Sequence, residues 1–365
     1  MEKIRKIGLI IILLFWVALS LGLLFFPKKE FSNEERRKLS AVPELTFETV
    51  IDGSWVRDLE EYSLDHFPLR QTFRTLKSFF HFGVLSQNDN NKIYIHDGYA
   101  AKMEYPLNGK SVDVAISKFT KIYETYLKKQ NCNIFFSIVP DKNYFLADES
   151  SHLKYDYDIL FEKIKAIEWS EYVDITSNLK IDDYYKTDTH WKHENLLNVS
   201  RLILDKMGAS AFSKDELRLK ALEDDFYGVY FGQAALPMRS DVLKYYTNKT
   251  IESATVFDYE TNKTMQIYDL ELDDNRDKYD LYLHGAKALL RIDNPSAETD
   301  KELVVFRDSF ASSIIPLLIK DYKTVTVIDI RYIQSTILSQ FVDFKNKDIV
   351  FLYSPLVLNN STILK

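Results

Sequence analysis

The sequence predicts an α/β protein: a parallel sheet flanked by helices, with a β-rich insertion or flank and an N-terminal transmembrane helix. Between residues 112 and 353, short apolar runs alternate with segments of helical periodicity, as they do in a parallel sheet covered on both faces. The first 29 residues contain an uncharged apolar stretch long enough to cross a bilayer. The composition, 46% hydrophobic and 28% charged, is typical of a folded globular chain.

The N-terminal stretch is expected to be an uncleaved membrane anchor. No charge occurs from Ile7 to Phe26, and at about 1.5 Å per helical residue this length spans a hydrocarbon layer of roughly 30 Å. Basic residues lie on both sides, but the short N-terminus favours a cytoplasmic tail and an extracytoplasmic body. The alternative is a cleaved signal peptide, for which Ala18-Leu19-Ser20 is a poor cleavage site.

Three parts are expected along the chain. Residues 1–29 form the cytoplasmic tail and anchor, residues 30–91 a stalk and N-terminal helices, and residues 92–365 the main α/β domain. Pro43 excludes a continuous helix through the charged stalk. The spacing of apolar residues over 47–82 predicts one or two amphipathic helices.

The main domain begins with a hairpin signal at Asp97-Gly98. The segment 251–292 has short strand-like runs joined by polar turns, which indicates an antiparallel insertion or flank. The other predicted elements are a helix over 112–127, a strand over 133–139, a helix over 159–167, a strand over 172–175, a helix over 196–207, strands over 255–259, 265–270, 279–283 and 302–306, a helix over 309–320, a strand over 324–330, a helix near 333–341 and a strand over 348–353.

Charge and cysteine content exclude some functions. The net charge is −7 and the pI is near 5.6, so no basic field is available to neutralise phosphates and a nucleic-acid partner is not expected. Cys132 is the single cysteine, and it cannot form an intrachain disulfide. A small buried hydrophobe is favoured over a catalytic thiol at this position.

The segment Arg307-Asp308-Ser309-Phe310 follows an apolar run and precedes a predicted helix. A serine at such a turn would lie at the carboxyl end of a parallel strand, where open α/β sheets place their sites. The helix N-terminus would offer free N–H groups to a developing oxyanion. The structural alternative is that Ser309 only caps the helix. No G-x-S-x-G motif occurs, which counts against an ordinary α/β-hydrolase.

A second motif, Asp188-Thr189-His190-Trp191, lies in a dense polar loop. The carboxylate of Asp188 could hold Nδ1 of His190 and leave Nε2 as a base for Ser309, as in serine acyl-transfer sites. A lone histidine is more often structural. A metal site formed by Asp188, His190 and His193 is the rival arrangement, although no fourth ligand is evident and no metal is expected.

These two motifs, in this order, resemble the DHHW family, which is similar to the alginate O-acetyltransferases of the SGNH-hydrolase-like superfamily. Further matching stretches are residues 226–232, residues 327–332 and Glu34–Pro43. Thr189 stands where the family name has its first histidine, and the alginate enzymes resemble the threonine form.

The resemblance implies a flavodoxin-like sheet that carries Ser309 as nucleophile, His190 as base and Asp188 as the group that orients it. It implies an exported, membrane-tethered O-acetyltransferase without a cofactor, acting in the biosynthesis of an exopolysaccharide or cell-wall polysaccharide. Such proteins work beside a membrane-bound O-acyltransferase that brings acetyl groups across the bilayer.

The oxyanion donors do not transfer cleanly from the family. The backbone N–H of Ser309 is the first candidate, and Arg331, Tyr230 and Trp191 are further candidates for oxyanion or substrate binding. Two other functions remain open: a carbohydrate acetyl esterase, in which water is the acceptor, and a non-catalytic scaffold that binds or assembles glycans.

Overall fold

The computed structural model describes residues 2–25, 28–32, 34–235, 238–272 and 276–365. The helices are α1 (Glu2–Phe25), α2 (Phe47–Ile51), α3 (Ser54–Asp65), α4 (Arg70–Phe79), α5 (Gly109–Ile122), α6 (Lys142–Ser150), α7 (Tyr157–Lys165), α8 (Leu197–Lys206), α9 (Val229–Ala234), α10 (Lys249–Ser253), α11 (Ala311–Leu318) and α12 (Pro355–Leu358). The strands are β1 (Phe31–Ser32), β2 (Arg37–Lys38), β3 (Ile93–His96), β4 (Tyr99–Lys102), β5 (Asn133–Ile138), β6 (Glu171–Tyr172), β7 (Arg218–Phe226), β8 (Asp241–Thr247), β9 (Thr255–Asp258), β10 (Lys263–Gln266), β11 (Leu289–Asp293), β12 (Lys301–Arg307), β13 (Tyr322–Ile328) and β14 (Asp348–Tyr353).

These elements form two compact units. The N-terminal unit contains the chain up to Asn91 and a short segment of residues 231–238, and the main unit contains the rest. The predicted division into 1–29, 30–91 and 92–365 stays a prediction.

The N-terminal unit begins with α1, a single apolar helix in which Lys3–Leu23 is long enough to cross a membrane. In length and composition this helix fits a membrane anchor or a signal sequence. The predicted end of the span, Phe26, lies outside the described residues. Over 47–82 the structure has three α-helices, because Gly53 and Leu69 adopt positive φ angles of 76° and 58° and each interrupts the helical path.

The main unit is built on an eight-stranded sheet with the order β10-β9-β11-β13-β12-β14-β5-β6. The strands from β13 to β6 run parallel, whereas β11, β9 and β10 add to one edge in antiparallel fashion. Both expected features, a parallel sheet and a β-rich flank, are therefore confirmed. Residues 273–275 of the predicted flank lie outside the described residues.

Alternate residues of the central strands enter different cores, as a sheet covered on both faces requires. Leu303 and Val305 of β12 pack in the core that includes residues of α8 and α11. Val304 and Phe306 of the same strand pack in the core that includes residues of α5 and α7. All four side chains are fully buried, so β12 holds the turn that follows it in a rigid position.

One predicted element is wrong, and a second has a different helical geometry. The expected strand over 279–283 is instead a 3-10 helix, Lys278–Leu281, because the Asp277 side chain accepts the Tyr279 N–H (3.0 Å) and starts a helical turn. The expected helix near 333–341 is a 3-10 helix, Ser335–Gln340, in which only Leu338 is buried. One buried residue gives an α-helix too little apolar contact to be stabilised there.

Candidate active site

Ser309 lies in the turn between β12 and α11, at the carboxyl end of the parallel strands. It does not cap α11, since Phe310 occupies the cap position and makes no side-chain cap bond. Among the described residues, the Ser309 hydroxyl makes one hydrogen bond, with Nε2 of His190 at 2.9 Å. No acceptor in that same part of the chain takes the backbone N–H of Ser309, which leaves it available to a ligand.

His190 and Asp188 lie in a tight loop that Tyr184 and Trp191 close through an isolated antiparallel bridge. Nδ1 of His190 lies 2.6 Å from Oδ1 of Asp188. The structure therefore brings the three predicted side chains into one continuous chain of hydrogen bonds, carboxylate to imidazole to hydroxyl. Asp188 is 1% exposed and His190 is 9% exposed.

The Asp188 carboxylate is the fixed end of this series of hydrogen bonds. Burial alone would raise its pKa, but the charge of His190, hydrogen bonds from that residue and the N–H of Val229 (2.9 Å) lower the pKa to about 2. An ionised Asp188 accepts the Nδ1–H of His190. Nε2 then carries a lone pair that faces the Ser309 hydroxyl, which is the tautomer a general base needs.

Gly228 lies directly against Asp188. A Cβ atom added to Gly228 would lie 2.2 Å from Cβ and 2.5 Å from Oδ2 of Asp188, much closer than real carbon atoms approach. The Gly228 N–H donates to the hydroxyl of Thr187 (3.0 Å). Only a glycine lets this backbone segment come close enough for the next residue, Val229, to bond Asp188.

A second buried carboxylate, that of Asp241, holds the chain just before Asp188. It accepts hydrogen bonds from the backbone N–H groups of Lys186 (2.9 Å) and Thr187 (2.8 Å) and from the Thr187 hydroxyl (2.6 Å). Because all three donors precede Asp188 by one or two residues, Asp241 fixes the path on which the catalytic candidates lie.

Tyr279 supports the imidazole from one face. Its ring is stacked on the ring of His190, with centroids 3.8 Å apart and planes inclined by 7°. The Tyr279 hydroxyl donates to the Ser313 hydroxyl (3.0 Å), which lies on α11. The imidazole is thereby held parallel to a ring that is itself fixed to the helix after Ser309.

Trp191 is fully buried. Its indole N–H donates to the carbonyl of Phe310 (2.8 Å) and to the Ser313 hydroxyl (2.9 Å). These bonds join the His190 loop to the first turn of α11. In this position Trp191 holds the two motifs together, and it offers no surface to a substrate.

Arg307 and Asp308 stabilise the turn that contains Ser309. Asp308 accepts the N–H of Phe310 (3.0 Å) and both the N–H and the hydroxyl of Ser354 (each 2.7 Å), and so it joins the ends of β12 and β14. Arg307 is fully buried and donates to the Ser312 hydroxyl (2.5 Å). Burial lowers the pKa of the Arg307 guanidinium.

The other two predicted binding residues are Arg331 and Tyr230. Arg331 follows β13 and makes a bidentate ion pair with Asp329, with nitrogen–oxygen distances of 2.9 and 2.6 Å. Tyr230 is buried, and its hydroxyl lies 3.0 Å from that of Thr189 in the catalytic loop. Neither residue is hydrogen-bonded to the three catalytic candidates.

The rival metal arrangement does not form. His193 directs Nδ1 at the carbonyl of Ser313 (2.6 Å), while both nitrogens of His190 are engaged with Asp188 and Ser309. In the part of the chain that the structure describes, the ligand atoms of Asp188, His190 and His193 do not form a compact group. Burial lowers the pKa of His193 to about 4, so its ring is neutral.

Lys142 is a buried cation that the sequence did not single out. It lies in the first turn of α6, which follows β5, and its ammonium donates to the carbonyls of Tyr185 (2.9 Å) and Lys186 (3.2 Å). Burial lowers the pKa of Lys142 to about 7, although the carboxylates of Asp188 and Asp241 oppose this shift. Lys142 therefore supports the same loop as Asp241, from another side.

Comparison with known proteins confirms the resemblance read from the motifs. The model of the family described as "DHHW protein" matches residues 153–328, a range that includes both motifs. No curated protein matches the sequence.

Solved structures share the fold. A DHHW family protein from Eubacterium siraeum aligns with 75% of this chain and 94% of its own, at 16% identity and a TM-score of 0.60. Bacillus cereus PatB1, also solved with a sulfonyl adduct, aligns with 73% of this chain and 96% of its own, at 20% identity and a TM-score of 0.59. The O-acetyltransferase domain of Pseudomonas putida AlgJ aligns with 73% of this chain and 92% of its own, at 11% identity and a TM-score of 0.45.

Proposed function

We propose that this chain, a match to the DHHW family model, is a membrane-anchored O-acetyltransferase acting outside the cytoplasm on a cell-surface or secreted polysaccharide. The observation that carries the proposal is the continuous hydrogen-bonded chain from Asp188 through His190 to Ser309. A carboxylate, an imidazole and a hydroxyl in this order constitute an activated serine nucleophile. The class of reaction, acetyl transfer, is proposed from the resemblance of the two motifs to the DHHW family and the alginate O-acetyltransferases.

The proposed reaction has two half-reactions. Nε2 of His190 takes the proton of Ser309 as Oγ forms a bond to the acetyl carbonyl carbon. The bond to the donor's leaving group then breaks, and that group takes the proton from His190. In the second half, a sugar hydroxyl gives its proton to His190, attacks the acyl-serine and leaves as the acetyl ester, while Ser309 Oγ recovers the proton. Asp188 stays ionised throughout and stabilises the imidazolium.

The oxyanion of each tetrahedral intermediate needs hydrogen-bond donors to stabilise it. The free N–H of Ser309 is the first of them in this proposal. Arg331 and Tyr230 remain candidates, and each would have to turn toward the acetyl group from its present partner, Asp329 or Thr189. Trp191 is proposed as a positioning residue.

The cellular setting of the proposal comes from α1 and from the family. We take α1 as an uncleaved single-pass anchor with a cytoplasmic N-terminus, followed by the stalk and helices of 30–91 and the acyltransferase domain of 92–365. A membrane-bound O-acyltransferase would supply the acetyl group, and an exopolysaccharide or cell-wall polysaccharide would accept it. No cofactor and no nucleic acid takes part.

A chromogenic acetyl ester tests the nucleophile. The purified full chain in detergent is expected to release the chromophore, and Ser309→Ala is expected to reduce the rate by at least about a thousandfold. Ser177→Ala, an exposed serine of the main unit, serves as the control. An aryl sulfonyl fluoride, suggested by the sulfonyl adduct of PatB1, should abolish activity in proportion to the serine it labels. Equal rates for wild type and Ser309→Ala would refute the proposed site.

Acceptor competition separates the remaining functions. With the ester as donor, added oligosaccharides that gain one acetyl mass at the expense of free acetate identify a transferase. Free acetate alone, at every acceptor concentration, identifies an acetyl esterase. A chain that binds oligosaccharides but consumes no ester would be the non-catalytic scaffold.

A further inference from the structure

One helix of the N-terminal unit carries its polar side inward and its apolar side outward. The helix is α4 together with the π-helical turn that continues it, Phe80–Val84. The outer face of α4 is defined by five side chains at helical spacing, with exposed fractions between 36% and 65%: Leu69, Phe73, Leu76, Phe80 and Val84. An ordinary surface helix has the reverse arrangement, with apolar residues toward the core.

The inward side of α4 is held by hydrogen bonds and an ion pair made by residues 70, 74 and 78. Arg74 donates to the carbonyl of Gly232 (2.9 Å). Ser78 is fully buried and donates to the carbonyl of Ala234. Arg70 donates to the carbonyl of Leu64 (2.9 Å) and forms an ion pair with Glu35. Because these donors point in set directions, α4 cannot roll to hide its apolar side without leaving buried polar groups unpaired.

Other apolar side chains of the same unit are also exposed. Phe79 and Leu85, beside the outer face, are 58% and 57% exposed, and Phe47 on α2 is 84% exposed. Isolated exposed apolar residues are ordinary, but a continuous stripe on a single helix indicates a surface that is covered in the functioning protein.

We propose that the outer face of α4 lies in the interfacial layer of the lipid bilayer, with its apolar side chains among the acyl chains. This inference rests on the proposed role of α1 as a membrane anchor. α1 belongs to the same unit and ends at Phe25, so only residues 26–68 separate the bilayer from the outer face. The tether keeps the membrane surface at a high effective concentration near α4.

The chemistry of the helix fits a bilayer surface. Its outer face consists of aromatic and aliphatic side chains, which suit the boundary between headgroups and acyl chains. Lys77 is exposed at the border of that face, where an ammonium meets anionic headgroups. An apolar stripe bordered by a cation is the pattern of a helix that lies in the plane of a membrane.

Site-specific fluorescence in vesicles tests the inference with the full chain. In a Cys132→Ser background, a polarity-sensitive fluorophore is attached at Leu76→Cys on the outer face, at Gln71→Cys on the other side of α4, and at Leu13→Cys within α1. The protein is reconstituted in vesicles of phosphatidylcholine and phosphatidylglycerol. Nitroxide lipids, labelled near the headgroup or deep in the chain, act as quenchers, and circular dichroism confirms that each labelled protein is folded.

The expected result is strong quenching of the Leu76 label by the shallow nitroxide, about twofold or more above that of the Gln71 label. Adding Leu76→Glu to a protein labelled at Phe73→Cys should reduce the quenching of that label by a similar factor. Equal quenching at Leu76 and Gln71 would overturn the inference. So would a Leu76 label that is shielded from aqueous iodide yet untouched by lipid quenchers, since a protein partner or a second copy would then cover the face.

The Leu13 label separates this inference from the proposed function. If the deep nitroxide does not quench it, α1 is not inserted, and the anchor in the proposed function fails together with the inference. If it is quenched while Leu76 behaves like Gln71, the anchor stands and only the inference fails. The measurement needs no turnover, so an inactive Ser309 site would leave its outcome unchanged.

Discussion

The α-carbon of Gly228 faces the side chain of Asp188 so closely that a methyl group on Gly228 would overlap Asp188 Cβ at 2.2 Å. The next residue, Val229, donates its N–H to the Asp188 carboxylate at 2.9 Å. The position of the catalytic carboxylate candidate therefore depends on a residue 40 positions away in the sequence that carries no functional group.

Gly228→Ala should displace Asp188 and, through it, His190. We expect kcat/KM for a chromogenic acetyl ester to fall by about a hundredfold, since a misplacement of roughly 1 Å in a catalytic group costs that much. Gly109→Ala is the matched control, because nothing lies within 4 Å of a Cβ there. Equal activity of the two alanine variants would show that Asp188 needs no such approach.

Asp241→Asn should loosen the loop before Asp188. The amide keeps the shape of the carboxylate but loses its charge, and its NH₂ group would face donors rather than acceptors. The expected loss is about 1–3 kcal/mol in the free energy of unfolding, together with a lower kcat. Urea denaturation beside ester hydrolysis measures both quantities. Asp300→Asn, an exposed carboxylate paired only with Lys323 in the structure, should change neither.

Trp191→Phe distinguishes a positioning residue from a substrate contact. The phenyl ring fills most of the indole space but removes the N–H that donates to the Phe310 carbonyl and the Ser313 hydroxyl. We expect a loss of about 1–3 kcal/mol in stability and a lower kcat, with KM for the oligosaccharide acceptor unchanged. A rise in KM alone, at unchanged stability, would mean that Trp191 contacts the sugar.

The lowered pKa of Lys142 should make the free energy of unfolding depend on pH. Its pKa is about 7 in the folded protein and about 10.4 in the unfolded chain. Between these values the unfolded state binds the extra proton, so stability increases as pH rises from 7 toward 10, by at most roughly 1.4 kcal/mol per pH unit. Lys142→Met removes this contribution. Urea denaturation of both proteins at pH 7 and pH 9 should show the larger gain in wild type, and parallel curves would contradict the shift.

The parts of the fold that could be predicted are those with strong local signals. The strands β12 and β14 appear in the sequence as continuous apolar runs, and burial on both faces of the sheet explains why they lack alternation. In β13, threonine alternates with valine. The β-rich flank could be predicted from the polar turns that join its short strand-like runs. The prediction of a strand over 279–283 was wrong because an aspartate side chain accepts a hydrogen bond from a nearby backbone N–H and starts a helical turn there.

The candidate site also contains residues that could be predicted from the sequence and residues that could not. Asp188, His190 and Ser309 stand in recognisable motifs, and the structure brings their side chains within hydrogen-bond distance. Lys142 and Asp241 were missed, because each acts through contacts with a loop about 45 or 55 residues away along the chain. No composition or spacing marks such residues before the fold is known.

The measurement that tests the central claim most directly is the location of the acetyl group in the trapped intermediate. The full chain is mixed with a chromogenic acetyl ester, quenched in acid during the burst and digested, and its peptides are analysed by mass spectrometry. We predict one acetyl group on the peptide that contains Ser309, accumulating in wild type and absent in Ser309→Ala. Release of the chromophore with no acetyl on Ser309, or with the acetyl on another residue, would contradict a Ser309 nucleophile.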